Sequence, residues 1–198
     1  MSGDDGEITD RRVLRGIRNR EAVVEAVIEL IDEGELSPTA TQIAERAGLA
    51  LRSIYHHFDD LDDVSRAVAD SLFGRFAELI EPIPSSGPFE VRLQSFVKQR
   101  SRIAERAMPI YRATYLVAPK SPALAERLAF AAAYLRGELA GTFQLELAEQ
   151  APWRLEGLDS LTSLNGWTRL RVNQRLSVTR SKEVLRMSIA ALLDQELD

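Results

Sequence analysis

The stretch TATQIAERAGLALRSIYHHF, residues 39–58, decides the fold of this chain. Ile43 lies in a short segment of helical spacing that ends at Gly48, and Ile54 and Phe58 lie four residues apart in a second one. A glycine turn between two short helices is the geometry of a helix-turn-helix. The sequence therefore predicts two short helices, the second with Ile54 and Phe58 facing inward.

Capping signals mark the ends of these helices. Thr39 is followed three residues later by Gln42, which is a capping-box pattern. Gly34 and Gly48 have no Cβ and can adopt the left-handed conformation that closes a helix. Two helices are thus predicted to end near these glycines, and one to start after Thr39.

The rest of the chain also has helical periodicity, with no strand-like alternation. An amphipathic helix over residues 20–33 precedes the quoted stretch, and a fourth helix, capped by Asp59 or Asp60, follows it. The segment EPIPSSGP, residues 81–88, has three prolines and marks a boundary. Further helices are expected over residues 89–106, 108–117, 122–148, 158–176 and 181–197. The predicted fold class is all-α: a three-helix unit, a connecting fourth helix and a larger C-terminal helical bundle.

Composition limits the class of protein. The chain has 198 residues, a formal net charge of −5 and no cysteine, so it has neither a disulfide framework nor a thiolate metal site. No apolar run approaches the ~20 residues of a membrane span. The first ten residues, MSGDDGEITD, lack the apolar core of a secretory signal and are expected to be disordered. We expect a cytoplasmic protein without a membrane partner.

The outward side of the second short helix carries the candidate chemistry. An arginine can read guanine, hydroxyls can donate hydrogen bonds, and imidazoles can donate to phosphate. The side chains left outside or at the rim are Leu51, Arg52, Ser53, Tyr55, His56 and His57. In a helix-turn-helix this face lies in the major groove of DNA, so these side chains suit DNA.

The quoted stretch resembles the TetR family of transcriptional repressors, whose pattern is roughly T-x-x-x-I-A-x-x-A-G-V-S-x-x-x-L-Y-x-H-F-x-x-K. The matching positions are Thr39, Ile43, Ala44, Ala47, Gly48, Leu49, Ile54, Tyr55, His57 and Phe58. The detailed match covers about residues 18–75, and the remaining helices agree in number, length and order.

The resemblance implies a homodimeric regulator of the repressor type, without a cofactor. It would bind a pseudo-palindromic operator in double-stranded DNA and release it when an unknown small-molecule effector binds. The implied division is a flexible arm, acidic and then Arg-rich (1–17), a DNA-binding domain (18–60), a connecting helix (61–80) and a ligand-binding and dimerisation domain (81–198). The implied DNA-binding residues are Thr39, Thr41, Gln42, Leu51, Arg52, Ser53, Tyr55, His56 and His57.

Two positions depart from the family pattern. Ala50 stands where a serine usually caps the second helix, which removes a cap of ~1 kcal/mol. Leu61 replaces the usual lysine, so a phosphate anchor is lost at the start of the fourth helix. Arg15, Arg18 and Arg20 are expected to supply compensating positive charge.

Other classes of protein fit less well. His56 and His57 are adjacent and point ~100° apart on a helix, so a metal site is not expected. The chain lacks a Gly-rich phosphate loop, a nucleophile elbow and a ligand-spaced cluster, so an enzyme is not expected. The alternative that stays open is a helical interaction protein that kept the helix-turn-helix scaffold without DNA or ligand binding, which Ala50 and Leu61 favour.

The dimer interface is predicted from two C-terminal helices. Apolar residues recur every third position from Leu158 to Leu170, a spacing that moves the apolar line ~60° around the helix at each step. Such a helix should be buried against more than its own bundle, and the last helix adds a second apolar side. The expected four-helix interface contains Leu161, Leu164, Leu170, Leu185, Ile189 and Leu192.

The effector pocket is expected among C-terminal aromatic residues. Tyr111 and Tyr115 share one helical face, and Phe143 and Trp167 occur near Gly141 and Gly166. Glycines beside large rings can leave space between helices, and a bundle interior is a common ligand site. We expect a mostly apolar ligand with one or two polar groups; a filled core without an effector is the alternative.

Overall fold

A computed structural model describes the backbone of residues 4–147 and 152–196, with side chains from residue 13 onward except at 120 and 123. Within these ranges the chain is helical and has no strand, so the all-α class is confirmed. The α-helices are α1 (Asp4–Asp32), α2 (Ala40–Ala47), α3 (Leu51–His57), α4 (Leu61–Ala77), α5 (Phe89–Val117), α6 (Pro122–Thr142), α7 (Gln144–Leu147), α8 (Trp153–Thr162), α9 (Leu164–Thr168) and α10 (Val178–Leu192). No helix in the described ranges is both long and apolar enough to cross a lipid bilayer.

The chain divides into two compact units. Unit 1 consists of Met1–Phe73 and Pro109–Arg127, and unit 2 consists of Gly74–Met108 and Leu128–Asp198. The sequence led us to assign residues 109–127 to the C-terminal domain, whereas they pack with the N-terminal helices. The boundaries between the units fall inside α4, α5 and α6, so each of these helices contributes residues to both units.

Helix α1 is longer than the sequence led us to expect. It begins at Asp4, so residues 4–17, expected to form a flexible arm, are helical. Residues 1–3 of the expected arm lie outside the described residues. No proline interrupts this segment, and its arginine, glutamate and leucine residues are favourable in a helix. The expected arm is therefore corrected from residue 4 onward.

The core of unit 1 fixes the orientation of α3. Val23 and Val27 on α1 are buried, as is Ile43 on α2, and α3 contacts both helices. Ile54 and Phe58 are also buried, as predicted, and each such side chain contributes ~1.5–3 kcal/mol when it leaves water. Burial of these two residues leaves the opposite side of α3 facing outward.

The predicted helix ends in unit 1 are confirmed. Gln42 N–H donates to Thr39 Oγ1 at 3.3 Å, and Thr39 N–H donates to Gln42 Oε1 at 2.8 Å, which completes the capping box. Gly34 and Gly48 have φ values of 101° and 66°, and both end their helices in the left-handed conformation. Asp60 caps α4 by accepting a 2.8 Å hydrogen bond from the N–H of Asp63.

Several helices of the second half have bounds that differ from the prediction. The two helices expected over 89–106 and 108–117 form the single helix α5, which contains Pro109. Proline removes one helical hydrogen bond, but Ala107 and Ile110 on either side of it are buried and keep the helix packed. The helix expected over 122–148 consists of α6 and α7, and residue 148 lies outside the described residues.

The core of unit 2 is filled by its own side chains. Phe96 and Phe143 are fully buried, with ring centroids 5.2 Å apart in an edge-to-face contact. Buried Arg92 forms an ion pair with Glu146, and buried Arg100 forms one with Glu138 at 3.1 Å. Burial raises the pKa of Glu138, and the nearby Arg100 guanidinium opposes that rise.

The helix expected over 158–176 is broken into shorter segments. Ser163 caps a new helix by accepting a 3.0 Å hydrogen bond from the N–H of Gly166, and α9 then runs into a π-helical turn, Arg169–Asn173. A Cβ on Gly166 would overlap the carbonyl oxygen of Leu161. The apolar residues spaced by three therefore lie on separate short segments rather than on one drifting helical face.

The predicted dimer residues contact the core of unit 2. Leu170, Leu185 and Ile189 are buried in it, and Leu161, Leu164 and Leu192 are partly buried against it. Leu161, Leu164 and Leu192 keep part of their surface exposed, and the expectation that the six residues form a subunit interface stays a prediction. The helix expected over 181–197 is α10, which begins at Val178 and ends at Leu192.

Candidate nucleic-acid interface

Helix α3 presents a polar outward face. Leu51, Arg52, Tyr55 and His56 are exposed, and Ser53 is half-buried. The face follows from the four-residue spacing of Ile54 and Phe58, which point into the core of unit 1. The structure thus brings the α3 residues selected from the sequence onto one side of a fixed helix.

Two side chains on this face are available for contacts outside the chain. Tyr55 is 56% exposed. Arg52 is exposed and, among the described residues, has no ion-pair or hydrogen-bond partner. A guanidinium can donate two parallel hydrogen bonds to guanine or to a phosphate, and a phenol hydroxyl can donate one to a phosphate.

His57 is held from behind by α1. The Nδ2 atom of Asn19 lies 3.2 Å from Nε2 of His57. Since an amide nitrogen donates, Nε2 accepts and the imidazole proton lies on Nδ1, where it can be donated. Burial, reinforced by the nearby His56 and Arg20, lowers the pKa of His57 below its ordinary 6.5. His57 is therefore a neutral donor at pH 7 rather than a cation.

Arg20 connects α1 to the end of α3. Its Nη1 donates to the carbonyl oxygen of His57 at 2.6 Å, and its guanidinium carbon lies 4.2 Å from the centroid of the Phe58 ring. Its Nη2 also pairs with Asp63 on α4 at 3.5 Å. The sequence led us to assign Arg20 to a set of DNA-facing charges, but it holds the helix-turn-helix together. Its position one helical turn before the buried Val23 could have indicated this role.

The residues selected on α2 have structural partners. Thr39 and Gln42 bond each other in the capping box, and Nε2 of Gln42 also donates to Glu35 at 3.3 Å. Thr41 is exposed. Of these three, Thr41 has no side-chain hydrogen bond within the described ranges, so it is the α2 residue best placed to meet a partner.

The positive charge of Arg46, on α2 beside the turn, is paired within the chain. Arg46 pairs with Glu33 at 2.6 Å and with Glu29 at 3.4 Å, and its hydrogen bond to Glu33 raises its pKa. Glu29 lies in the last turns of α1 and Glu33 directly follows the helix, so both carboxylates reach Arg46 on α2. Arg52 is the cation that remains unpaired on α3 among the described residues.

Comparison with known proteins shows which proteins this chain resembles in sequence and in fold. No family model matches the sequence. The HTH-type transcriptional repressor KstR2 of Rhodococcus jostii (strain RHA1) is 36% identical over 53 residues, which are 25% of this chain and 26% of that repressor. A TetR transcription regulator from Haloarcula marismortui has a TM-score of 0.67 at 20% identity, covering 89% of this chain and 96% of its own. A transcriptional regulator from Rhodococcus sp. Rha1 has the same TM-score at 18% identity, covering 90% and 96%.

This chain has the TetR fold. The two positions that depart from the TetR pattern have the consequences expected from their chemistry. Ala50 occupies the N-cap of α3 with φ −70° and ψ 144°, and no side chain accepts a hydrogen bond there. Leu61, in place of a lysine, is 41% exposed, and it is followed by Asp62 and Asp63 in the first turn of α4.

The aromatic residues selected for the effector divide between the two units. Phe143 and Trp167 are buried in the core of unit 2, where Trp167 Nε1 donates to Glu105 at 2.6 Å. Tyr111 and Tyr115 belong to unit 1, and their rings lie 6.3 Å apart, with Tyr115 64% exposed. Gly166 leaves no space beside Trp167, because its backbone packs against the chain of α8. The expectation that these four residues bind an effector stays a prediction.

Proposed function

We propose that this protein is a transcriptional regulator that binds duplex DNA through α3. The observation that carries the proposal is the outward face of α3, where Arg52 and Tyr55 are exposed while Ile54 and Phe58 fix the opposite side in the core. A helix held in this way can enter the major groove as a rigid body. The TetR fold and the KstR2 match over 53 residues support the same function.

The contacts to DNA are of two kinds: contacts to base edges, which recognise the sequence, and contacts to phosphates, which position the protein on the duplex. Arg52 reads a guanine edge or binds a neighbouring phosphate, while Tyr55 and the Nδ1–H of His57 bind phosphates. Thr41 on α2 and the hydroxyl of Ser53 complete the contacts at the turn. Because few cations remain unpaired near α3, few phosphates are neutralised, so DNA affinity falls only gradually as the salt concentration rises.

The regulator acts as a homodimer in the cytoplasm. Two copies of α3 enter successive major grooves ~34 Å apart on a pseudo-palindromic operator. Helices α8 and α10 of unit 2 keep exposed apolar side chains, Trp153 and Met187, for a partner surface. A small-molecule effector that favours the non-binding conformation by ~1–3 kcal/mol releases the operator, so the protein is a repressor.

The test is binding to a randomised duplex library, selected at low salt and then measured by fluorescence anisotropy over a range of salt concentrations. We expect a selected pseudo-palindrome and a linear fall of log K with log salt concentration. Sedimentation at micromolar concentration should show a dimer. If no duplex is retained at low salt, the chain is a helical interaction protein with a helix-turn-helix scaffold, the function that Ala50 and Leu61 favour.

Substitutions on α3 distinguish base recognition from phosphate binding. Arg52→Ala should cost ~1–3 kcal/mol of binding and relax the preference at one position per half-site. Tyr55→Phe should weaken binding equally on all sequences, because phosphate contacts carry no sequence information. Arg106→Ala, which removes an exposed charge from unit 2, is the matched control and should leave binding unchanged. Unchanged affinity and preference in Arg52→Ala would remove its proposed role.

A further inference from the structure

Unit 1 contains a cavity of about 330 Å³. Its walls come from α1, the first turns of α4, the last turns of α5 and the start of α6, all of which belong to unit 1. The wall residues Val27, Ile31, Val64, Val68, Ile110 and Leu124 are apolar and buried. Pockets that bind small molecules typically measure ~300–1,000 Å³ and are mostly apolar, so this cavity has the size and the surface of a ligand site.

The polar side chains of the cavity are one carboxylate, Asp62, and four hydroxyls, those of Ser37, Ser65, Thr114 and Ser121. Of the described residues that line it, Asp62 alone is ionisable, and no ion-pair or hydrogen-bond partner of its carboxylate is found within the described ranges. The hydroxyls of Ser65 and Thr114 already donate to the carbonyl oxygens of Leu61 and Tyr111, both at 2.9 Å. Their oxygens can therefore still accept, but their protons are in use. A ligand that matches this lining needs donors and a positive charge at one end and an apolar body.

We propose that the cavity of unit 1 binds a small apolar amine, with its ammonium group on Asp62 and its apolar body between Val27, Val68 and Leu124. This inference rests on the proposed function, because it names the effector class and the effector site of the regulator. The site lies in unit 1, not among the aromatic residues of unit 2, whose interior is filled by Phe96, Phe143 and Trp167.

The position of the cavity connects it to α3. Its walls on α1 and α4 belong to the helices that carry Arg20 and Asp63, which pair at 3.5 Å beside the end of α3. Asp63 is the immediate neighbour of Asp62. An ammonium group bound at Asp62 thus changes the charge at the first turn of α4. Because Asp63 lies in the same turn and pairs with Arg20, the bound ligand affects the residue that holds the end of α3.

The first experiment compares three probes of one shape, phenylbutylamine, phenylbutanol and phenylbutyrate, by isothermal titration calorimetry with the full chain. The amine should bind at least ~10-fold more tightly than the alcohol, since a hydrogen bond to a charged group is the stronger kind, and the acid should bind most weakly. Asp62→Asn should remove the advantage of the amine over the alcohol. Asp59→Asn, an exposed neighbour outside the cavity, should retain it.

The second experiment fills the cavity. Ala113 is a buried wall residue, and Ala113→Leu should weaken all three probes by ~10-fold or more, with a helical spectrum and melting temperature showing that the variant folds. Equal binding of the three probes to the parent, no binding at all, or full amine selectivity in Asp62→Asn would overturn the inference. Operator binding is measured on the same samples: DNA binding without amine binding sinks the inference alone, and amine binding without DNA binding sinks the proposed function alone.

Discussion

The guanidinium of Arg20 donates to the carbonyl oxygen of His57 at 2.6 Å, across 37 positions of sequence. That carbonyl belongs to the last turn of α3, where carbonyl oxygens have no partner within the helix. A cation at this end also interacts favourably with the helix dipole. Arg20 thus supplies at the C-terminus of α3 a contact that Ala50 does not supply at its N-terminus.

The first prediction removes this contact. Arg20→Ala should lower the free energy of unfolding by ~1 kcal/mol, because one charge-assisted hydrogen bond and one contact with the Phe58 ring are lost at a partly exposed site. Denaturant unfolding followed by circular dichroism measures the change. DNA affinity should fall with it, since the end of α3 is no longer held.

Arg18 provides the matched control for Arg20. It is exposed on the same helix, and its Nε donates at 3.4 Å to Leu14 of that helix. Arg18→Ala should therefore change the free energy of unfolding by no more than ~0.5 kcal/mol. Equal effects of the two substitutions would mean that Arg20 acts through charge alone and not through its contacts with α3.

The second prediction restores the missing cap of α3. Ala50 already has the extended backbone that an N-cap needs, so a side-chain oxygen there can accept from the first turn. Ala50→Thr and Ala50→Val have the same shape, and the threonine variant should be more stable by ~1 kcal/mol. Thermal and denaturant unfolding of the pair measure the difference. A valine variant as stable as the threonine variant would show that the first turn of α3 gains nothing from a cap.

The third prediction concerns the pH dependence of stability. The pKa of His57 in the folded state lies below its ordinary 6.5, chiefly because of burial. Above pH ~6.5 the imidazole is neutral in both states, and its contribution does not vary with pH. As the pH falls below that value, the unfolded state takes up the proton first, so stability is lost until the folded-state pKa is reached.

Two measurements check the pH prediction. Nuclear magnetic resonance titration should place the midpoint of the His57 imidazole below pH 6.5. Because the chain has two histidines, a single variant that lacks one of them assigns both sets of imidazole signals. The parent should lose stability between pH 7 and pH 5 relative to His57→Gln, while His56→Gln should keep the loss. A midpoint above 6.5 would contradict the buried, neutral state of this imidazole.

Local features of the fold could be predicted from the sequence. The capping box of Thr39 and Gln42 and the helix ends at Gly34 and Gly48 depend on residues within a few positions of one another. The outward face of α3 follows equally from the spacing of Ile54 and Phe58. Such features require no knowledge of which helix packs on which.

Long-range partners could not be predicted in this way. The sequence does not show which acidic or backbone groups Arg20 and Arg46 meet, because their partners lie on other helices or on the turn after α1. The three-residue spacing of leucines was interpreted as one helix with two buried sides. The same spacing arises from a helix that breaks at Ser163 and turns back onto one core.

The last prediction tests that break. Gly166 packs so closely on α8 that an added Cβ would overlap the Leu161 carbonyl oxygen and lie 2.9 Å from that of Ser160. Backbone atoms cannot move aside as the end of a flexible side chain can, so Gly166→Ala should destabilise unit 2 by ~1–3 kcal/mol. Denaturant unfolding measures the loss, and the packing of the adjacent Trp167 should change with it, seen as altered tryptophan fluorescence.

Gly137 is the matched control for this substitution, because it lies in α6, is exposed and has open space where a Cβ would be added. Gly137→Ala should stabilise the protein by ~0.5–1 kcal/mol, since alanine reduces the conformational freedom of the unfolded chain. The opposite signs separate close packing at residue 166 from the general effect of replacing a helical glycine. A stabilising Gly166→Ala would mean that α8 and α9 form one continuous helix, with the apolar residues from Leu158 to Leu170 all on it.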